Sequence, residues 1–179
     1  MDDETAVYIP ASGLTRSDFA KVMLLVGIVL GMRVWQLTHT AVTARDSIGY
    51  IRIAWRLEHG DWLKVLPRAP QHPLYPMAIL AMSLPVRHFL PNDLPQAMQL
   101  SAQLTSALAS LLLILPMYLL GRELFTRHIA FWGCLLFQCL PSAGRVMGDG
   151  LSEPLFLLCT VSSLYLAVRA LRDQSKTAF

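Results

Sequence analysis

From Leu94 to Gly121 the chain carries no charged side chain, although Asp93 and Arg122 stand immediately outside this run. A bilayer crossing needs roughly 20 consecutive apolar residues as a helix. Backbone in hydrocarbon must also satisfy its own hydrogen bonds, so the run predicts a transmembrane helix over 96–120. Pro116 lies inside it and predicts a kink that neighbouring helices accommodate. Composition points the same way. Of 179 residues, 54% are hydrophobic and 15% charged, against about a quarter charged in soluble domains. The net charge of +3, with no basic block, argues against nucleic acid as a partner. Cys134, Cys139 and Cys159 lie in apolar segments with neither zinc nor disulfide spacing, and are expected to be buried, inert thiols.

Three further spans follow from hydropathy. The first covers 20–38, interrupted only by Lys21, Arg33 and Gln36, and the others cover 129–145 and 154–171. Val42-Thr-Ala44 offers a signal-cleavage site, but Asp2, Asp3, Glu4 and Asp18 oppose the basic leader that a signal peptide requires. A retained first span is therefore expected, preceded by a disordered cytoplasmic tail over 1–19. The apolar piece 77–86 is too short to cross and holds Pro85, which suits an interfacial or re-entrant helix. Residues 173–179 form a second cytoplasmic tail. Short loops set the orientation. Arg122 and Arg127 lie in one loop, and Arg172 and Lys176 follow the last span, so both termini are assigned to the cytoplasm. The loop 39–95 and the loop bearing Asp149 and Glu153 then share the extracytoplasmic face. The expectation is an all-α integral membrane protein of about four transmembrane helices, with two interfacial helices in the first extracytoplasmic loop.

That first loop holds the chemistry. Residues 47–59 have helical periodicity, with Tyr50, Ile53, Ala54 and Leu57 on one face and Arg52, Arg56 and His59 on another. Ser47 or Asp46 would cap its start and Gly60 would end it. Read blandly, this is a surface helix with a capping acid. Read as a site, Asp46 is a carboxylate kept ionised by the helix dipole, which suits a general base. Arg52 and Arg56 suit a phosphate at headgroup level, or simply solvated headgroup charge. Gln71-His-Pro-Leu-Tyr-Pro is extended and proline-locked, and leads into the second interfacial helix over 74–86. In the second loop Ser152 is an N-cap candidate. Glu153 complements the helix dipole or acts as a functional acid at the lip of a span, with Asp149 the competing acid. Arg33 is costly in lipid and is expected to face protein, water or a phosphate.

An apolar span ending near an Arg precedes Asp46-x-x-x-Tyr50 and its amphipathic helix. His72-Pro-Leu-Tyr75-Pro follows, then Tyr118-Leu-Leu-Gly-Arg-Glu-Leu-Phe125 and Ser152-Glu-Pro-Leu155. This order resembles the N-terminal part of GT-C glycosyltransferases, in the branch of protein O-mannosyltransferases and lipid A aminoarabinose transferases, over about 20–172. The resemblance implies a membrane enzyme of the cytoplasmic or endoplasmic reticulum membrane. Its donor would be a polyprenyl-phosphate-linked sugar, and its active-site loops would be extracytoplasmic. It implies that Asp46 is the first-loop acid, taken as base or metal ligand, and that Glu153 or Asp149 is the second. Tyr50, Arg52, Arg56, His72, Tyr75 and Arg33 are then candidate substrate contacts, with the arginines stabilising a leaving phosphate. A divalent metal between Asp46 and a second-loop acid is compatible with this scheme, although no His/Cys cluster marks one.

Two departures stand out. Some members have paired acids at the first site, whereas Asp46 is followed by Ser47. Members also carry further spans, so a truncated or split enzyme, or one needing a second membrane chain, is expected. The alternative is a non-catalytic fragment or small subunit packing against a larger membrane partner. A transporter is disfavoured by the lack of an inverted repeat.

Overall fold

The computed structural model describes residues 15–40, 44–60 and 62–177. Described residues form helices and connecting turns, with no strand among them. In order these are α1 (Arg16–His39), α2 (Arg45–His59), α3 (Trp62–Val65), α4 (Leu74–Phe89), α5 (Leu94–Leu124), α6 (Arg127–Cys139), α7 (Pro141–Gly148) and α8 (Glu153–Thr177), with a 3-10 turn at Leu66–Arg68. The protein is an all-α membrane protein, with three helices long and apolar enough to cross a bilayer, or four if the bent pair α6–α7 counts as one span.

The long α5 is the axis of the molecule. Within its apolar window 44% of residues are buried, against 17% for α1 and 6% for α8, so α1 and α8 are outer helices and α5 is the inner one. Asp93 caps α5, accepting the Gln96 N–H at 3.0 Å, and the helix continues through Pro116. One apolar core lies where Leu25 and Val29 of α1 meet Ile114 and Tyr118 of α5 and Ala130 and Cys134 of α6. Gly121 makes the α5–α6 approach close enough. A Cβ there would sit 3.1 Å from the Ala130 backbone. A second core joins Ala54 of α2, Tyr75 and Ile79 of α4, and Met98 and Ala102 of α5.

Several local expectations need correcting. Residues 15–19 are not tail. Thr15 and Asp18 form a capping box that starts α1 at Arg16, because each side chain satisfies the other's backbone N–H. Residues 1–14 lie outside the described residues. Neither Ser47 nor Asp46 caps α2. The N-cap is Ala44, and Asp46 sits in the first turn. The segment 129–145 is not one straight span, because α6 and α7 meet at 68°. Pro141 begins the new helix, where its missing N–H costs nothing. Of the thiols, Cys134 is buried, but Cys139 and Cys159 are exposed.

Candidate functional site

α2 and α4 lie side by side and run the same way. Tyr50 meets Tyr75 edge-to-face at 5.0 Å, and further along Glu58 receives a bidentate pair of hydrogen bonds from Arg87. Their N-terminal ends rest on the upstream half of α5, and the second loop reaches the same place. Tyr50 Oη lies 2.8 Å from Ser152 Oγ, and Ser106 Oγ of α5 donates to the Leu151 carbonyl at 2.8 Å. Tyr75 donates to the Ala102 carbonyl at 3.0 Å and lies 2.6 Å from Ser106 Oγ. Burial raises the Tyr75 hydroxyl well above the ordinary phenol range, with Tyr50 and Glu153 adding in the same direction. Tyr75 is therefore a neutral hydrogen-bonding strut rather than an acid.

Gly150 closes the arrangement. Its φ of +71° is left-handed, and a Cβ there would stand 2.8 Å from Ser47 Oγ and 3.4 Å from the Ala102 backbone. The chain thus passes between α2 and α5 only because residue 150 has no side chain. Consequently Asp46-Ser47 of the first loop and Asp149-Gly150 of the second are neighbours. Asp46 and Glu153 are exposed and Asp149 is half-buried. Burial raises the Asp149 carboxyl above its usual value, and Arg145 opposes that shift.

The structure gathers the expected residues unevenly. Asp46, Tyr50, Tyr75, Asp149 and Glu153 belong to one end of the bundle, joined by the contacts above. His72 is exposed beside Gln71, whose amide packs on Gly49 of α2. Arg52 and Arg56 are exposed, but they share a ridge with Arg45 on the outer side of α2. Helical geometry carries them about 9 and 15 Å along the axis from Asp46 and turns them away from it.

Arg33 is elsewhere. It is 1% exposed, and four N–H groups are taken by Ser110 Oγ (3.1 Å), Gln36 Oε1 (2.6 Å), the Gly144 carbonyl (3.0 Å) and Gln138 Oε1 (2.7 Å). Of the three partners expected for it, the structure selects protein. Among the described residues, no three of His, Cys, Asp and Glu converge on a common point. Asp46 and a second-loop acid alone would have to hold a divalent ion, and no step below is routed through one.

Ser106 went unnoticed in the sequence, and Ser47 and Ser152 were read only as cap candidates. The signal was available in α5, where Ser101, Gln103, Thr105, Ser106 and Ser110 interrupt a largely apolar run. Asp18 also went unread. It is fully buried at the opposite end of the bundle, accepting from Tyr118 (2.8 Å) and pairing with Arg122 (3.2 Å) and Arg127 (3.7 Å).

Fold and site together define a helical membrane protein whose polar, acid-bearing loops are clasped at one end of its bundle. A family model described as dolichyl-phosphate-mannose-protein mannosyltransferase matches residues 71–179. The chain belongs to that family, which is one of membrane glycosyltransferases of the GT-C type. The matched segment takes in His72, Tyr75, Asp149 and Glu153 but begins after Asp46, Tyr50, Arg52 and Arg56. Comparison with curated proteins and with solved structures returned no match.

Proposed function

We propose that this protein transfers a sugar from a polyprenyl-phosphate donor to an acceptor hydroxyl at the extracytoplasmic face, in the manner of the protein O-mannosyltransferase branch. The observation that carries the reading is the 2.8 Å contact between Tyr50 and Ser152. It ties α2, four residues after the first-loop acid, to the residue just before Glu153, which supports a site shared by the two loops.

In this scheme the Asp46 carboxylate, exposed in the first turn of α2, accepts the proton of the acceptor hydroxyl. The acceptor oxygen forms the new bond to the anomeric carbon as the bond from that carbon to the phosphate oxygen breaks. The polyprenyl phosphate leaves with the electron pair. Glu153, exposed at the start of α8 and close enough to influence Tyr75, would orient the acceptor or the sugar. Asp149, half-buried in the second loop, suits a hydrogen bond with a sugar hydroxyl. His72 and Tyr75 would line the acceptor side. The Arg45/Arg52/Arg56 ridge would meet the donor's phosphate as it arrives along the membrane surface, since its distance from Asp46 fits capture better than the reaction centre.

The test is transfer from a radiolabelled polyprenyl-phosphate mannose in membranes containing the full chain. Asp46→Asn is expected to lower the rate by about 100-fold or more, the usual scale for a lost general base. Normal transfer by that variant sinks the assignment.

A further inference from the structure

The network around Arg33 sits where the fourth span is broken. α6 ends at Cys139, α7 begins at Pro141, and α7 delivers Asp149 and Gly150 directly into the candidate site. α6 and α7 meet at 68°. The Gly144 carbonyl, in the middle of α7, receives two side-chain donors from α1: Arg33 Nη1 at 3.0 Å and Gln36 Nε2 at 3.1 Å. Gln36 also lies along the glycine edge of α7. A Cβ at Gly144 would stand 3.3 Å from its Nε2, and one at Gly148 2.8 Å from its Oε1. On the other side of the bend Gln138 accepts from Arg33 and donates to the Ser110 carbonyl of α5 at 3.2 Å. One guanidinium therefore ties α1, α5, the end of α6 and the middle of α7 together.

From this we infer that Arg33 and Gln36 are positioning residues for the transfer reaction: they fix the angle of α7 and thereby set the second acidic loop against α2. The inference rests on the proposed transfer function for its kinetic consequence, but not for its structural one. It differs from a phosphate-binding role for Arg33, because the donors are already committed and the residue is buried. A planar fork is needed to serve partners on four sides, and an ammonium cannot replace it. Misplacing a catalytic group by about 1 Å can cost up to 100-fold in rate, and a positioning loss falls on kcat rather than KM.

The experiment uses the full chain in detergent or native membranes, with Arg33→Lys and Gln36→Leu. Two quantities are read: steady-state transfer from labelled polyprenyl-phosphate mannose, and amide hydrogen exchange by peptide. Each variant is expected to lower kcat by about tenfold or more with KM for the donor within about twofold. Exchange is expected to rise in 141–152 while 45–59 is unchanged. The Lys variant keeping near wild-type kcat, or KM for the donor rising with exchange in 141–152 unchanged, overturns the inference in favour of direct phosphate contact. Gln36→Leu leaves the Arg33 charge in place, so it decides the matter alone if Arg33→Lys does not fold. Absence of transfer by the unaltered chain counts against the proposed function. The exchange measurement still decides whether Arg33 and Gln36 fix α7.

Discussion

Single residues of this protein are committed with little slack. Gly150 combines a left-handed φ with an approach to Ser47 and the Ala102 backbone that leaves no room for a methyl group. Gly150→Ala is expected to cost about 1–2 kcal/mol in backbone conformation alone, and to push the second loop away from α2. The checks are a lowered thermal midpoint and a fall in transfer rate exceeding that of a surface control. Asp18 shows the other kind of commitment. Its carboxylate accepts from Tyr118 inside the fold and pairs with Arg122 and Arg127, so Asp18→Asn is expected to destabilise by about 2 kcal/mol, the scale of a buried hydrogen bond to a charged group. A denaturation midpoint indistinguishable from that of the unaltered chain would refute this. The sequence announced Asp46 as a candidate through the pattern around it, but gave no comparable notice of Asp18. Its partners are 100 residues and more away, and a Thr-x-x-Asp in a polar leader looks like tail until Tyr118, Arg122 and Arg127 are folded against it.

At the scale of elements, α2 and α4 act as a pair. Their N-terminal ends are joined through Tyr50 and Tyr75, and their C-terminal ends through Glu58 and Arg87, with Trp55 stacked near the same guanidinium at 5.9 Å. The Arg87 hydrogen bond holds the Glu58 carboxyl below its ordinary value, outweighing burial. A depressed carboxyl contributes stability above its unfolded pKa and loses it as pH falls through the folded value. The α2–α4 attachment should therefore loosen only below about pH 4. The contribution is small, of the order of 0.5–1 kcal/mol, since both side chains are partly exposed. Hydrogen exchange across 45–59 measured against pH checks this, and Glu58→Gln should flatten the dependence.

α2 was legible from its periodicity, and α4 from an apolar run too short to cross a bilayer that follows a proline-locked segment. The break between α6 and α7 was not, since Cys139-Leu-Pro141 sits in continuous apolar sequence and hydropathy averages over it. The contacts that make the bend tolerable come from α1 and α5.

For the whole molecule, polarity is segregated to two ends. One end carries Asp46, Asp149 and Glu153, and the other carries Asp18, Arg122, Arg127 and the Arg172–Glu123 pair at 2.6 Å. α5 runs between them and, at about 1.5 Å per residue, is long enough to span the hydrocarbon. In a background with Cys134, Cys139 and Cys159 changed to Ala, Arg52→Cys and Leu124→Cys should react with an impermeant maleimide from opposite sides of sealed vesicles. Labelling of both from one side contradicts a single crossing by α5. Overall class and family were within reach of sequence because hydropathy and short motifs survive without three-dimensional information. The clasp between the two acidic loops was not, as it depends on small hydroxyls on α5 and α8 with no distinctive spacing of their own.

The broken span also bears on how the protein is made. α6 has 13 residues, about 20 Å of helix against some 30 Å of hydrocarbon, and α7 turns away before completing the crossing. Emerging alone from a ribosome into a membrane insertion channel, this segment could not settle at its final depth and angle. It would leave bent backbone facing lipid. Arg33 and Gln36 have already been synthesised by then, as part of α1. Biogenesis is thereby given an order: α1 must wait, polar groups inward, for a segment made some hundred residues later, and a chain deprived of either arrives with the other unsheltered.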